Sequence, residues 1–243
     1  MDIDVRKLIQ SCPSQASPQT APGVWEAALS LLENKRGKVL VAGAGRGGLS
    51  WILEKAGYEV ISIDLHPKHF KIPGMTCSFS DLNAALSFDS SSFDLVIAVE
   101  VVEHLENPWF FLRESVRVLK PNGDFIFTTP NVESLHSRWC YFRQGILPYF
   151  REESFVGCYH VTPIFSWAVE RCCRTTNAEV IDMRYSRIDW PRSNDVPRYD
   201  GNLGLRRKIL NMFPTNKLSG EIACYKVRKT TGTPRMEVGI HYD

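Results

Sequence analysis

Six consecutive residues, Gly43-Ala44-Gly45-Arg46-Gly47-Gly48, carry glycines at a spacing that lets a backbone turn tightly and lets a ligand approach main-chain N–H groups. The Gly43-x-Gly45-x-x-Gly48 pattern satisfies the dinucleotide fingerprint as written, so it does not by itself choose between cofactors. A tight strand-to-helix turn without a ligand is the plainer alternative. Asp64 follows roughly twenty residues on, where a carboxylate can accept both ribose hydroxyls of an adenosine moiety. Capping of the turn at His66-Pro67 is its plainer role, and the two are compatible. Glu100, Glu103 and His104 form an ExxEH cluster, and His160 lies within Gly157-Cys158-Tyr159-His160-Val161-Thr162-Pro163. An imidazole near its unperturbed pKa of about 6.5 accepts a proton at neutral pH, which makes His104 and His160 candidate bases. A structural hydrogen-bonding role is the alternative for each. With one more ligand the ExxEH cluster could hold a divalent ion, but Glu103 and His104 opening the next helix is the commoner outcome, and no metal is assigned. His66, His69, His136 and His241 have no comparable setting.

These residues need elements to position them. Residues 38–42 are a short apolar run ending at the glycines, as expected of a buried parallel strand, and residues 49–56 read as a helix closed by Gly57. Residues 58–63 give a second strand with Asp64 at its end, 75–79 a weak third and 93–98 a clear fourth. His104 then falls just past the fourth strand, on the carboxyl edge where ligands of open α/β folds collect. Residues 108–119 read as a helix, and the turn Lys120-Pro121-Asn122-Gly123-Asp124 leads into a fifth strand, 125–129, broken by Pro130. This alternation argues a parallel α/β sheet. A helix over 24–33 precedes it. Residues 131–165 are rich in Trp, Tyr, Phe and His without clean periodicity, 165–175 look helical, and 178–188 and 221–227 read as late strands that suit an antiparallel edge. A helix over 203–212 would lie between those two strands. The expected organisation is a lead-in over 1–23, one domain over 24–228 with an acceptor-side insertion over 131–177, and a loose tail over 229–243.

Taken together, Val39-Leu40-Val41-Ala42-Gly43-Ala44-Gly45-Arg46-Gly47 resembles motif I of class I S-adenosylmethionine-dependent methyltransferases, and Asp64 fits motif II. Ser80-Asp81-Leu82-Asn83 resembles the family's acidic motif, which places a carboxylate by the adenine amino group. The run from Phe93 to Leu105 is similar to its fourth-strand signature. Pro121 to Asn131 resembles the following segment of the ubiquinone-type, small-molecule enzymes. Ala44 stands where the family often has Cys. The resemblance covers roughly residues 35–131. It implies a doubly wound, Rossmann-like, mostly parallel seven-stranded sheet with an antiparallel edge strand and an insertion after strand 5. It also implies S-adenosyl-L-methionine as cofactor and S-adenosyl-L-homocysteine as product, held by Gly43, Ala44, Gly45, Gly47, Asp64, Leu65, Asp81, Leu82, Val99 and Glu100. His160, His104 and Glu103 are the expected catalytic residues. The sulfonium brings an activated methyl group, so positioning supplies most of the catalysis, roughly 7–11 kcal/mol, and a base adds a factor of about 10²–10⁴ for a hydroxyl acceptor.

The expected acceptor is a small molecule or a sugar-containing glycan, with oxygen the favoured atom. In the insertion, aromatic surface could stack on a flat ring or a sugar face while Arg138, Arg143 and Arg151 meet phosphate or carboxylate; a lid helix packing its own core is the plainer alternative. A nicotinamide-dependent oxidoreductase and a non-catalytic cofactor-binding subunit are the rival readings. The 29 basic and 27 acidic residues are intermixed, leaving a net charge of +2 and no broad field to attract a polyanion, which disfavours nucleic acid. No apolar run approaches membrane-spanning length, and the opening residues lack the build of a secretory signal, so a cytoplasmic location is expected. Seven cysteines without a CxxC pair point to neutral thiols, neither a disulfide framework nor a zinc knuckle.

Overall fold

The computed structural model describes residues 5–17, 20–21, 23–33, 36–186 and 216–232. Seven strands form one sheet in the order β3-β2-β1-β4-β5-β7-β6. They are β1 (Lys38–Ala42), β2 (Glu59–Asp64), β3 (Cys77–Phe79), β4 (Phe93–Ala98), β5 (Leu119–Pro130), β6 (Ala178–Ser186) and β7 (Ile222–Lys229). The first five run parallel, and β7 is antiparallel to both β5 and β6. This is a mostly parallel, Rossmann-like α/β sheet with an antiparallel edge pair.

Apolar runs form these strands because both faces of the sheet are covered. Along β1, Leu40 and Ala42 join one core cluster while Val39 and Val41 join the other. In β4, Val96 and Ala98 alternate with Leu95 and Ile97 in the same way. The first face packs α4 (Pro108–Val118) and α7 (Ser166–Arg174), and the second packs α2 (Val24–Leu29) and α3 (Gly48–Lys55). On the first face Phe127 of β5 lies opposite Tyr225 of β7, their rings parallel at 4.8 Å, which sets the antiparallel register by aromatic pairing. β1 pairs with β2 on one side and β4 on the other, so the chain reverses its direction of winding there. The crevice at the carboxyl ends of β1 and β4 is where such sheets bind ligands.

Four expectations change. Pro130 does not break the fifth strand, which continues through it: Pro130 lies opposite Ile222, and the next residue, Asn131, donates its N–H to the Glu221 carbonyl at 2.7 Å. The missing N–H of Pro130 therefore faces the side where β4 has already ended, so no ladder bond is lost. The expected lead-in contains α1 (Val5–Gln10) and a 3-10 turn at Ser14–Ala16, with Ala16 only 1% exposed. Burial against α3 orders a segment whose composition alone suggests none. The unperiodic stretch after β5 contains α5 (Leu135–Gln144) and α6 (Glu152–Cys158), the former capped by the Ser134 side chain and ended by Gly145 in the left-handed conformation. Lys229, expected to open the tail, is instead the last residue of β7. The helix expected over 203–212, His241, residues 233–243 and the end of the sixth strand beyond Ser186 lie outside the described residues.

Candidate active site

The glycine turn is pinned to the end of β2. The N–H groups of Gly43 and Ala44 both donate to the Ile63 carbonyl, at 2.9 and 3.0 Å. Gly43 has φ +71°, and a Cβ there would lie 2.4 Å from Cγ2 of Val101, so the turn approaches the segment after β4 only because the position is glycine. At Gly48 a Cβ would lie 2.0 Å from the Ala16 carbonyl oxygen, where the N-terminal segment presses on the start of α3. Asp64 closes the other side: its Oδ2 accepts from Gly45 N at 2.8 Å and its Oδ1 from His66 N at 2.7 Å. Both the capping role and an orientation towards the glycine turn are thus present, and each carboxylate oxygen keeps a further lone pair for a hydroxyl.

A cavity of about 470 Å³ opens beside this turn. Gly43, Ala44 and Gly45 line it together with Val99 and Glu100 from the end of β4 and with His104, Tyr149 and His160. Glu100 holds a positive φ of 54°, a conformation that costs a non-glycine residue on the order of 1 kcal/mol. Thr128 of β5 secures it: Glu100 N donates to the Thr128 hydroxyl at 2.8 Å, and the hydroxyl donates back to Glu100 Oε1 at 2.7 Å. Burial pushes the Glu100 carboxyl up to about 7, against the Thr128 hydroxyl, which lowers it. Glu103 is wholly buried, and its carboxylate oxygens accept no hydrogen bond within the described residues. Burial, and then repulsion from Glu100, raises its pKa well above the ordinary carboxylate range.

Backbone pairing brings the two histidines together. Val161 N and Thr162 N both donate to the Glu103 carbonyl, at 2.9 and 3.1 Å, and the Thr162 hydroxyl donates to the Leu105 carbonyl at 2.6 Å. This stitches the end of the insertion to the 3-10 turn Val102–His104, and the His104 and His160 rings lie 4.9 Å apart. His160 Nδ1 sits 2.8 Å from the Tyr149 carbonyl oxygen and His104 Nδ1 3.2 Å from that of Tyr159. A carbonyl only accepts, so in each neutral ring Nδ1 carries the proton and Nε2 the lone pair. Burial lowers the His160 pKa, with the Tyr149 carbonyl opposing the shift and His104 adding to it. Ligand atoms of Glu103, His104 and His160 all lie within 4.8 Å of one another.

Of the residues singled out in the sequence, the cavity wall unites Gly43, Ala44, Gly45, Val99, Glu100, His104 and His160. Gly47 instead caps α3, and Asp64, Leu65, Asp81 and Leu82 stand outside the wall. Leu65 is half exposed and Leu82 buried, while Asp81 is exposed and holds its own turn by accepting from Asn83 N at 2.9 Å. Thr20, Trp25, Tyr149 and Thr128 were not foreseen. Thr20 lines the cavity with a buried hydroxyl that has no partner within the described residues, and nothing in a Ser-, Gln- and Pro-rich stretch signals it. Tyr149 lies in the aromatic stretch that runs through Phe150, where composition does not distinguish one ring from another.

Residues 40–127 match the methyltransferase domain family. The chain is 34% identical over 110 residues to the mitochondrial ubiquinone biosynthesis O-methyltransferase of Rattus norvegicus, covering 40% of this chain and 32% of that protein. It is 40% identical over 93 residues to the 2-methyl-6-phytyl-1,4-hydroquinone methyltransferase of Synechocystis, covering 35% and 29%. The matches thus span about a third of the length of these curated relatives. Among solved structures, a chain of the Haloferax volcanii complex containing the Trm112 methyltransferase activator superposes with TM-score 0.61 at 16% identity, over 86% of this chain and 90% of that one. A Thermotoga maritima S-adenosylmethionine-dependent methyltransferase does so with TM-score 0.58 at 17% identity, over 84% and 87%. Residues 40–127 thus match a methyltransferase domain family, and the seven-stranded sheet that contains them has the fold of the superposed methyltransferase structures. No helix among the described residues is long and apolar enough to cross a membrane.

Proposed function

We propose that the protein transfers a methyl group from S-adenosyl-L-methionine to a hydroxyl of a small-molecule or sugar-containing acceptor, leaving S-adenosyl-L-homocysteine. The observation that carries this reading is the single cavity in which the glycine turn meets Glu100, His104 and His160. Methyl transfer forms a carbon–oxygen bond as the carbon–sulfur bond breaks, and the acceptor proton must leave. In this reading His160 takes it, supported by the burial that favours the neutral imidazole and by the Tyr149 carbonyl, which directs the lone pair to Nε2. Gly43, Ala44, Gly45 and Gly47 cradle the cofactor, Asp64 meets the ribose, Leu65, Asp81 and Leu82 frame the adenine, and Val99 and Glu100 face the methionine end. Quinol-type acceptors enter this reading from the relatives' names, which are those of O- and hydroquinone methyltransferases.

Calorimetric titration should show S-adenosylhomocysteine binding and no NADH binding; tight NADH binding alone would sink the proposal. His160→Ala should lower kcat by about 10²–10⁴ with cofactor affinity unchanged, and unaltered turnover removes His160 as base.

A second reading is favoured by the convergence of Glu103, His104 and His160. A buried carboxylate and two imidazoles whose ligand atoms converge fit a divalent cation. Such an ion would acidify an acceptor hydroxyl. In that case chelator treatment abolishes turnover and added Mg²⁺ or Zn²⁺ restores it, whereas the base reading requires full activity in chelator.

A further inference from the structure

One side of the cavity is closed by a segment that precedes the matched residues 40–127: Ala16, Ser17, Thr20, Ala21 and Trp25 line it there. Burial fixes both ends of this segment, since Ala16 is 1% exposed and Val24 is fully buried. Ala16 N donates to the Pro13 carbonyl at 2.8 Å and Val24 N to the Ala21 carbonyl at 3.3 Å. A Cβ at Gly48 would overlap the Ala16 carbonyl oxygen and lie 2.6 Å from the Trp25 ring, so the segment seats against the start of α3. Between the two anchors stands Thr20, whose hydroxyl is shut off from solvent and has no hydrogen-bond partner among the described residues. An unpaired buried donor costs folding free energy, and a native fold keeps one where a ligand supplies the acceptor.

We propose that the Thr20 hydroxyl donates to the carboxylate of the cofactor's methionine end, and that it thereby selects S-adenosyl-L-methionine over adenosyl compounds that lack this carboxylate. The inference rests on the methyl-transfer reading. In that reading Asp64, Leu65, Asp81 and Leu82 take the adenosine, and they stand outside the cavity wall, so the cavity itself receives the methionine end. That end carries an ammonium group and a carboxylate. Glu100, on the same wall, is an acceptor and suits the ammonium. A carboxylate only accepts, so it needs a donor, and a threonine hydroxyl is one. Arg46 also lines the cavity, but it is exposed and water competes for its charge, whereas the Thr20 hydroxyl is withdrawn from water. A pocket built around a buried donor rejects an analogue without the matching acceptor, because the donor is then left unpaired.

The test is calorimetric titration of the full chain with two ligands, S-adenosylhomocysteine and methylthioadenosine, a thioether that keeps the adenosine and lacks the amino-acid end. Thr20→Val replaces the hydroxyl by a methyl group of similar size. It should weaken S-adenosylhomocysteine binding about tenfold or more and leave methylthioadenosine binding unchanged. Thr20→Ser keeps the hydroxyl and should bind both ligands as the wild type does. Without ligand, Thr20→Val should melt no lower than the wild type, because the bond it forgoes is not made in the free protein. Unaltered S-adenosylhomocysteine affinity in Thr20→Val overturns the proposal. An equal loss for both ligands does so too, since the hydroxyl would then support the shape of the cavity and not read the carboxylate. A lower melting temperature of the free Thr20→Val variant, restored in Thr20→Ser, would likewise assign the hydroxyl to the fold. Failure of the wild type to bind either ligand is a different result, which overturns the methyl-transfer reading itself and this inference with it.

Discussion

A carboxyl held well above its ordinary pKa, as Glu103 is, binds its proton more tightly in the folded chain than in the unfolded one. The folded state then binds more protons, so stability falls as pH rises from the unfolded value of about 4.3 towards the raised folded value. Glu103→Gln removes that dependence. In chelator at pH 7 it should raise stability by on the order of 1 kcal/mol, and the gain should shrink towards pH 4, while turnover falls. Thermal melts at the two pH values measure this; a variant less stable than wild type at pH 7 would show that the carboxylate is held by a contact the neutral amide cannot make. Gly43 illustrates a different residue-scale constraint. Gly43→Ala adds a methyl group into Val101 at a positive φ, and it should weaken S-adenosylhomocysteine binding about tenfold or more. Adding Val101→Ala relieves the overlap but not the backbone strain, so calorimetry should show partial recovery.

The helix α4 does more than cover the sheet. Glu114 accepts from Leu86 N at 2.8 Å and receives both Nε and a terminal nitrogen of Arg117, which in turn donates to the Leu86 and Phe88 carbonyls. A loop without regular structure is thereby fastened to a helix by charge-assisted bonds. The Arg117 guanidinium, foremost, holds the Glu114 carboxyl below the usual carboxylate range. The linkage therefore has the opposite sign to that of Glu103: its stabilisation is present above the free-carboxyl pKa and is lost as pH falls through the lowered folded value. Glu114→Gln should cost about 1–3 kcal/mol at pH 7, a deficit that closes in acid denaturation below pH ~4. A pH-independent deficit would point to packing instead.

At the scale of the whole molecule, the end of the sheet opposite the cavity is held by a charge cluster. Lys226 of β7, 4% exposed, pairs with Glu33 at 2.8 Å and Asp124 at 3.2 Å, and Arg228 joins the same two carboxylates. This ties the late antiparallel strand to β5 and to the segment after α2, residues far apart in sequence. Lys226→Ala removes the buried cation that pairs with Asp124 and the part-exposed Glu33 and should cost about 3 kcal/mol, read as a lower denaturation midpoint. Because the cavity lies at the other end, S-adenosylhomocysteine affinity should be preserved below the melting transition. None of this cluster was visible in the sequence, where charges 193 positions apart, such as Glu33 and Lys226, have no local pattern. What local pattern could determine, it did. Apolar runs of strand length, the glycines after β1, Asp64 at the end of β2 and the alternation with helices specified the parallel half of the sheet and the family, because each is a signal within one element or between neighbours. The order of β6 and β7, the passage of β5 through Pro130 and the burial of Ala16 were decided by packing. So was the assembly of the candidate site: His160 meets His104 only because Val161 and Thr162 pair with the Glu103 backbone, a contact across more than fifty residues that side-chain types alone cannot encode.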